Sequence, residues 1–225
     1  METPRLNIPQ HRFITSGFKF NAFVAGMGSG KTFVGAHKMM GHFARFPKVD
    51  AAYYAPTHKL VKDVFWPTLD EVGYILGFRM HFRVADKEVH VKRNGKFYGV
   101  INCRTLDKPE NIVGFKSGYS LIDELDILAT EKAKKCWTKI LGRMRYKIDG
   151  LVNGVDVTTT PEGYKFVYQK FKKAPQDNPS LLDYYNMVHA STYDNEKNLP
   201  HDYIDTMLRD YPGQYINAYL NGQFV

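Results

Sequence analysis

Residues 25–32 form a short loop that restricts what this chain can fold into more than any other stretch does. The loop follows an apolar run, Phe20 to Val24, precedes a segment with helical periodicity, and reads Ala25, Gly26, Met27, Gly28, Ser29, Gly30, Lys31 and Thr32. Glycines let a backbone turn its N–H groups around an anion, the lysine can reach terminal phosphates, and the threonine hydroxyl can coordinate Mg²⁺. A helix beginning near Gly30 adds its positive end. All eight residues are therefore predicted to bind a nucleoside triphosphate, expected to be ATP.

One position of this loop departs from the usual pattern. The consensus G-x-x-x-x-G-K-[ST] begins with glycine, whereas this chain has Ala25, the mildest replacement. The alternative interpretation is a glycine-rich turn that contains an incidental lysine. The strand, loop and helix pattern around the motif favours the nucleotide site.

An acidic pair follows about 90 residues after the loop. Tyr119 to Ile122 has the pattern of a buried strand, and it ends on Asp123 and Glu124. Two carboxylates at a strand end are costly unless they meet a cation or a polarised water. We expect Asp123 to hold Mg²⁺ together with Thr32, and Glu124 to polarise the water that attacks the γ-phosphate. Asp126 is predicted to be an acid in a solvated loop rather than part of a nuclease cluster.

A run of hydroxyl residues forms the third motif. The strand pattern Val155 to Val157 ends on Thr158, Thr159 and Thr160, and Pro161 follows. Three hydroxyls and a proline turn are poor core material, but they are well suited to sense a γ-phosphate and relay its loss. We therefore predict that the three threonines respond to the γ-phosphate.

Three further residues are candidates for contact with the nucleotide. Gln10 precedes the loop by 15 residues, and its amide can both donate to and accept from adenine, although an ordinary surface glutamine is equally compatible. Arg143 and Arg145 lie near the end of a basic helix predicted from Thr130 to Tyr146. Either arginine can stabilise charge on the γ-phosphate, but arginines at helix ends more often cap or form ion pairs.

The formal net charge is +8, and the excess is unevenly distributed. Residues 79–116 carry 9 basic against 4 acidic side chains, residues 131–173 carry 11 against 4, and residues 174–225 carry 2 against 7. Concentrated positive charge suits a polyanion such as nucleic acid. Solvated surface lysines are the alternative explanation.

A β-hairpin is predicted near residues 88–103. Val89 to Arg93 and Lys96 to Cys103 alternate apolar with polar residues around Asn94-Gly95, which fits a type I′ turn. Its basic side chains either line a DNA track or form a solvated face, and the solvated face is the preferred interpretation.

Composition excludes several classes of protein. A hydrophobic content of 44% is that of a globular α/β chain, and no apolar run approaches the roughly 20 residues of a membrane span. Residues 1–10 do not resemble a signal peptide. Cys103 and Cys136 are expected to be buried thiols in a reducing compartment, and the histidines show no zinc-ligand spacing.

The three motifs, in this order, resemble the ATPase domain of the large terminase subunits of tailed bacteriophages. The segment from Thr158 to Gly163, followed by an aromatic-rich helix, is similar to the coupling motif of that family. Tyr54 to Thr57 resembles its segment after the second strand, and Thr192 to Asn195 with Gly222-Gln223-Phe224 resembles the end of its ATPase region. Pro9-Gln10 with Phe13-Ile14 is similar to its adenine-contacting segment. The resemblance covers essentially all 225 residues.

This resemblance implies an α/β fold of the RecA-like P-loop NTPase class, with a mainly parallel sheet, flanking helices and an extra strand between the two motif strands. It implies one ATPase domain over 1–225, with an adenine-contacting segment at 1–19 and the end of the ATPase region at 191–225. The implied activity is Mg²⁺-dependent ATP hydrolysis that drives double-stranded viral DNA into a procapsid. The implied partners are double-stranded DNA, the portal protein, the small terminase subunit and a ring, thought to be a pentamer. The implied location is the host cytoplasm, with transient docking on the procapsid, and neither a membrane nor the mature virion.

Two differences from the family affect these expectations. Many members carry an arginine inside the phosphate loop, where this chain has Met27, and others carry one near a stretch resembling Ile112 to Phe115. The stabilising cation is therefore unassigned, with Arg143, Arg145 and Lys116 as candidates. Members usually continue into a nuclease domain, which is expected to be absent from residues 1–225, either through truncation or because it is a separate polypeptide.

Two other functions use the same motifs. A superfamily-2-type helicase shares the loop and the acidic pair, but it needs a second RecA-like domain, for which no residues remain. A nucleotide-gated assembly protein with little turnover is the third hypothesis. The motor is the preferred one.

Overall fold

Eight strands form a single sheet in the computed structural model, which describes residues 5–225 apart from the side chain of Gln214. The spatial order of the strands is β3-β4-β5-β2-β6-β7-β1-β8. Their bounds are β1 Phe20–Ala25, β2 Ala51–Ala55, β3 Arg79–Arg83, β4 Glu88–Arg93, β5 Lys96–Thr105, β6 Tyr119–Asp123, β7 Gly154–Thr159 and β8 Tyr185–Ala190.

The six strands from β5 to β8 in this order are parallel, and β3, β4 and β5 pair antiparallel at one end of the sheet. Strand β7 lies between β1, which precedes the phosphate loop, and β6, which ends on the acidic pair. The predicted extra strand and the mainly parallel sheet are confirmed. Because the carboxyl ends of parallel strands share one edge, the three sequence motifs meet there.

Helices cover both faces of the sheet. Their bounds are α1 Ile8–Thr15, α2 Lys31–Arg45, α3 His58–Leu60, α4 Trp66–Ile75, α5 Thr130–Leu141, α6 Ala174–Asp177, α7 Tyr203–Asp210 and α8 Gly213–Tyr219. None of the helices within residues 5–225 combines the length and apolarity needed to cross a membrane.

Alternation along the strands divides the core into two layers. On β2, Tyr53 faces a layer formed with α2 and α4, whereas Tyr54 faces a layer formed with α5 and Phe166. This period-two pattern is what a sheet covered on both sides requires. Both cysteines are buried and free, as expected.

The hairpin is confirmed, and it is part of the central sheet. Asn94 and Gly95 have φ angles of 50° and 73°, which the type I′ turn requires. Strand β5 also pairs in parallel with β2, so the hairpin extends the sheet instead of projecting from it. Strand β3 was not predicted, because its alternation of basic and apolar residues is short.

One helix contains an irregular turn, and one helix prediction needs correction. The helical stretch from residue 58 to residue 75 contains a π-helical segment, Val61–Phe65, immediately before Pro67. A proline cannot donate to residue i−4 and crowds that carbonyl, which the wider turn relieves. Helix α5, which was predicted from Thr130 to Tyr146, starts at Thr130. It ends at Leu141, before Arg143 and Arg145.

Candidate nucleotide-binding site

The loop after β1 has the backbone of an anion cradle. Gly28 and Gly30 have φ angles of 72° and 79°, in the left-handed region that favours glycine, and α2 begins directly afterwards at Lys31. The N–H groups of Gly28 and Gly30 donate to no other described residue. Lys31 is buried and folds back over the loop, where its Nζ donates to the carbonyl oxygen of Gly26 at 3.1 Å. Unpaired N–H groups, a helix N-terminus and a lysine thus lie together at the carboxyl end of β1.

Thr32 and Asp123 lie side by side across the sheet edge. The Thr32 hydroxyl donates to Asp123 Oδ2 at 3.0 Å, and the Tyr53 hydroxyl donates to the same oxygen at 3.0 Å. Burial and the neighbouring Glu124 charge raise the pKa of Asp123, and burial next to Asp123 raises the pKa of Tyr53. A carboxylate and a hydroxyl are hard oxygen ligands, so this pair fits Mg²⁺.

Glu124 is held in an unusual backbone conformation. Its φ angle is 51°, which a residue other than glycine adopts at some energetic cost. Its carboxylate accepts a hydrogen bond from the backbone N–H of Thr160 at 2.9 Å and lies 3.6 Å from Lys31 Nζ. The side chain is 24% exposed, so solvent reaches this carboxylate, unlike that of Asp123.

Two of the three threonines at the end of β7, Thr158 and Thr160, contact the acidic pair directly. The Thr158 hydroxyl donates to Asp123 Oδ1 at 2.6 Å, and the Thr160 hydroxyl lies 3.4 Å from Glu124 Oε1. The Thr159 hydroxyl accepts from the backbone N–H of Asp126 at 3.2 Å. All three are buried. The structure therefore brings the second and third motifs together, as their order along the sheet requires.

The prediction of a solvated Asp126 is wrong. Its side chain is fully buried, and Oδ1 accepts from the backbone N–H of Val167 at 3.0 Å. Burial raises the pKa of Asp126 to about 6. The carboxyl therefore ties the loop after β6 to the helical segment after Thr160.

Gln10 lies against the loop, but both ends of its amide have protein partners. Its Nε2 donates to the carbonyl of Ser29 at 3.0 Å, and its Oε1 accepts from the backbone N–H of Asn7 at 3.1 Å. The side chain is buried. The first four residues of the predicted adenine-contacting segment lie outside the described residues.

Arg143 and Arg145 are not brought to the loop of their own chain. The Arg143 carbonyl accepts from the N–H of Ser117, which precedes β6, whereas Asp123 ends that strand. Six extended residues span about 20 Å, more than an arginine side chain covers. Arg145 lies two residues further along the same loop and is exposed. Lys116 also precedes β6, with its Nζ 4.2 Å from the ring centre of Tyr146.

Two residues at the loop were not predicted from the sequence. The Thr192 hydroxyl donates to the carbonyl of Met27 at 2.6 Å, and Asn195 Nδ2 donates to the carbonyl of Gly28 at 2.7 Å. Both belong to the segment recognised as the end of an ATPase region. The available signal was their position directly after β8, a strand adjacent to β1.

The fold and the loop define a P-loop NTPase of the RecA-like class. A family model described as terminase large subunit, T4likevirus-type, N-terminal, matches residues 22–225. The chain therefore belongs to this family, and the resemblance seen in its motifs is confirmed. A comparison with curated proteins found no match.

Solved structures of large terminases have the same fold. The large terminase of a thermophilic bacteriophage in complex with ADP has 17% identity and a TM-score of 0.80, and the alignment covers 98% of this chain and 54% of that one. The complex of the same terminase with ATP-γ-S has 18% identity and a TM-score of 0.75, and the alignment covers 98% of this chain and 53% of that one. The ATPase domain of the Thermus phage P74-26 large terminase has 15% identity and a TM-score of 0.69, and the alignment covers 98% of this chain and 94% of that one. The chain thus spans about half the length of the terminase that was solved with ADP.

Proposed function

We propose that this chain is a Mg²⁺-dependent ATPase that drives double-stranded DNA into a viral procapsid. The observation that carries the proposal is the meeting of Lys31, Thr32, Asp123 and Glu124 at one sheet edge. Family membership and the ADP and ATP-γ-S complexes of the thermophilic bacteriophage terminase support it.

The phosphate loop and its flanking residues bind the substrate. The backbone from Ala25 to Gly30 surrounds the phosphates, and Lys31 exchanges the carbonyls of its own loop for phosphate oxygens. Thr32 and Asp123 hold Mg²⁺, which, when bound, neutralises charge on the phosphates. The 3.0 Å contact between these two side chains supports a shared ligand role.

Glu124 orients and polarises the attacking water. Its carboxylate lies 3.6 Å from Lys31 Nζ, close enough for the two charges to interact. Phosphate draws the lysine away and leaves Glu124 free to accept a proton from water. The partial exposure of this carboxylate supports the role, since a fully enclosed acid has no access to water.

Thr158, Thr159 and Thr160 couple this exchange to the rest of the domain. Thr160 donates to Glu124, and Thr158 donates to Asp123. A movement of either carboxylate therefore changes a hydrogen bond to the end of β7 or to the residue that follows it. Thr159 is bonded to Asp126, which in turn holds the helical segment at Val167. The contacts form a continuous route from the phosphates to a helix on the sheet face.

The residues that we assign to adenine contact and to stabilisation of the γ-phosphate are the candidates identified from the sequence. Gln10 retains one free N–H for a base, because its second N–H and its oxygen are bonded within the protein. Arg143 or Arg145 stabilises the γ-phosphate of a neighbouring chain in a ring, because neither reaches the loop of its own chain. Met27 cannot substitute for them, since its side chain is uncharged and its sulfur lies 4.0 Å from the hydroxyl oxygen of Tyr211.

The working assembly is a homo-oligomeric ring, a pentamer, on the portal of a procapsid in the host cytoplasm, with the small terminase subunit as a further partner. DNA contact is made mainly to phosphates, because the net charge of +8 suits a polyanion. The uneven distribution of basic residues along the chain supports a contact surface rather than a uniform charge.

The variant Glu124→Gln tests the proposal. It keeps the size of the side chain but removes its basicity, so ATP binding persists while turnover falls by roughly 10²- to 10⁴-fold. Glu131→Gln is the matched control, because Glu131 is an exposed residue paired with Lys134 at 2.8 Å. Steady-state hydrolysis and equilibrium ATP binding are measured on all three proteins. Normal turnover in Glu124→Gln excludes the assigned role.

A further inference from the structure

The outer, carbonyl side of the phosphate loop carries a regular set of hydrogen bonds. Three consecutive carbonyls, those of Met27, Gly28 and Ser29, each accept from a side chain outside the loop. The donors are Thr192 at 2.6 Å, Asn195 at 2.7 Å and Gln10 at 3.0 Å. Two of the three donors come from the segment after β8, far along the chain.

Each donor is itself buried and held in place. Thr192, Asn195 and Gln10 are 0%, 7% and 2% exposed. The Thr192 backbone N–H donates to the Leu220 carbonyl at 2.8 Å, and Asn195 Oδ1 accepts from Asn198 at 2.9 Å. Such donors are positioned before any ligand arrives.

The geometry of the peptide bond transmits this arrangement to the inside of the loop. In a planar trans peptide, the C=O of one residue and the N–H of the next point in opposite directions. Holding the carbonyls of Met27 and Ser29 outward therefore turns the N–H groups of Gly28 and Gly30 inward, whereas the Ser29 N–H, which follows the Gly28 carbonyl, donates to the Gly26 carbonyl at 3.4 Å and closes the turn. Neither of these N–H groups donates to another described residue.

The segment also fits the loop sterically. A Cβ atom on Gly26 would lie 2.5 Å from the Leu220 carbonyl oxygen and 2.6 Å from Thr192 Oγ1. The Met27 N–H donates to the Tyr219 carbonyl at 2.6 Å. Thr192, Tyr219 and Leu220 thus lie directly on the loop, with no space between them and Gly26 for a side chain.

We propose that Thr192 and Asn195 are positioning residues that hold the phosphate loop in its anion-binding conformation from its outer side. They act on the nucleotide through the loop backbone and do not touch it. The inference rests on the proposed function for its ligand, a nucleoside polyphosphate. The segment after β8, which contains Thr192 and Asn195, thereby becomes part of the nucleotide site.

The variants Thr192→Val and Thr192→Ser separate the hydroxyl from the packing. Valine keeps the shape but has no donor, so the Kd values for Mg·ATP and Mg·ADP each rise roughly tenfold. Serine keeps the donor and stays within about twofold of the wild type. The KM for ATP rises with Kd while kcat changes less than about threefold, because the cradle holds phosphates equally in ground and transition states. Asn195→Ala moves Kd in the same direction.

Ser191→Ala is the matched control. It removes a hydroxyl one residue earlier, which bonds Asp194 and not the loop, and it leaves nucleotide affinity unchanged. Amide hydrogen exchange adds a readout without nucleotide: peptides covering residues 25–32 exchange faster in Thr192→Val than in the wild type or Ser191→Ala. Thermal melts establish that each variant is folded at the assay temperature.

Three results overturn the proposal: Thr192→Val binds nucleotide like the wild type, Thr192→Ser is as weak as Thr192→Val, or Ser191→Ala is equally weak. Failure of the proposed hydrolytic function is a separate result. A wild type that binds ATP without turnover ends that function, while the binding and exchange measurements still decide the role of Thr192.

Discussion

Helix α2 carries two lysines that each meet a carboxylate, at opposite edges of the same sheet. Lys31, at the carboxyl edge, lies 3.6 Å from Glu124, whereas Lys38 lies 3.0 Å from Asp156 near the amino ends of β1 and β7. Seven helical residues separate the lysines by about 10 Å along the axis. The pairs share a helix, a charge type and nearly complete burial of the lysine, so their differences reflect their surroundings.

The carboxylate of Asp156, near the amino ends of the strands, has a protein donor on each of its two oxygens. Asp156 accepts from Asn21 at 2.8 Å and from the Tyr119 hydroxyl at 2.7 Å, and it is 1% exposed. Lys38 completes the network and also lies over the Phe13 ring at 4.5 Å. Both oxygens of Asp156 therefore already accept from protein donors.

The Lys31–Glu124 pair, at the carboxyl ends of the strands, has a longer contact. We call it the open pair, and we call the Lys38–Asp156 pair the closed pair. Lys31 divides its contacts between Glu124 and carbonyls of its own loop, and the distance to the carboxylate is long. Partners held this loosely can be replaced by phosphate oxygens at small cost. The comparison teaches that a carboxylate already bonded to neutral protein donors serves the fold, whereas one whose cation also contacts the phosphate loop can serve a ligand.

The first prediction uses Lys31→Met to break the open pair. Methionine retains the apolar stem but removes the charge that meets the phosphates, so kcat/KM for ATP falls about 1000-fold. The free energy of unfolding changes by less than about 1 kcal/mol, because Glu124, the charged partner of Lys31, is 24% exposed and stays in contact with solvent when the lysine is removed. ATPase kinetics and urea denaturation measure the two effects.

Lys38→Met is the same substitution at the closed pair, and we expect the opposite result. Removal of the lysine leaves Asp156 buried without its cation, which costs about 3 kcal/mol of stability. Nucleotide affinity stays within about twofold of the wild type, because no contact of Lys38 leads to the loop. Equal loss of stability in the two lysine variants would contradict the distinction between the pairs.

The open pair was predictable from the sequence because its chemistry is local. Lys31 and Thr32 belong to one loop, and Asp123 and Glu124 to one strand end, so spacing and residue type sufficed. Parallel strands then bring the motifs together at one edge. The hairpin was predictable for the same reason, since Asn94-Gly95 encodes its own turn.

The missed features depend on contacts between residues that are far apart in the chain. Thr192 and Asn195 reach the loop across more than 160 residues, and nothing in their local pattern indicates those acceptors. Asp126 follows two acids and reads as a loop residue, but Val167 and Thr159 enclose it. Burial of a polar side chain is decided by what packs over it, which a single sequence does not display.

Asp126 is a third buried carboxylate and sharpens the comparison through pH. Its Oδ2 has no hydrogen-bond partner among the described residues, unlike the oxygens of Asp156. Because the folded-state pKa is raised to about 6, the folded protein binds the proton more tightly than the unfolded chain. Stability from this group is present below about pH 4 and is lost as the pH rises through about 6.

The expected result is a loss on the order of 2 kcal/mol between about pH 4 and 7 that Asp126→Asn does not show. His42 acts in the opposite direction, since burial lowers its pKa to about 4. Both proteins retain His42, so the difference between their unfolding free energies isolates Asp126. The measurement is urea denaturation across this pH range. A difference that stays constant with pH would contradict the raised pKa.

The smallest effect is expected where charges of the same sign meet in solvent. Arg79 and Lys92 lie directly opposite each other on β3 and β4, and both are exposed. Lys92→Glu replaces repulsion by attraction, so the free energy of unfolding rises by about 0.5 kcal/mol.

The same variant, Lys92→Glu, decides between the two interpretations of the basic hairpin. On a solvated face, the dependence of duplex DNA affinity on salt is unchanged, whereas loss of a phosphate contact lowers the slope of log K against log salt by about one. We expect the unchanged slope, because the hairpin lies at the end of the sheet farthest from β1 and the nucleotide loop.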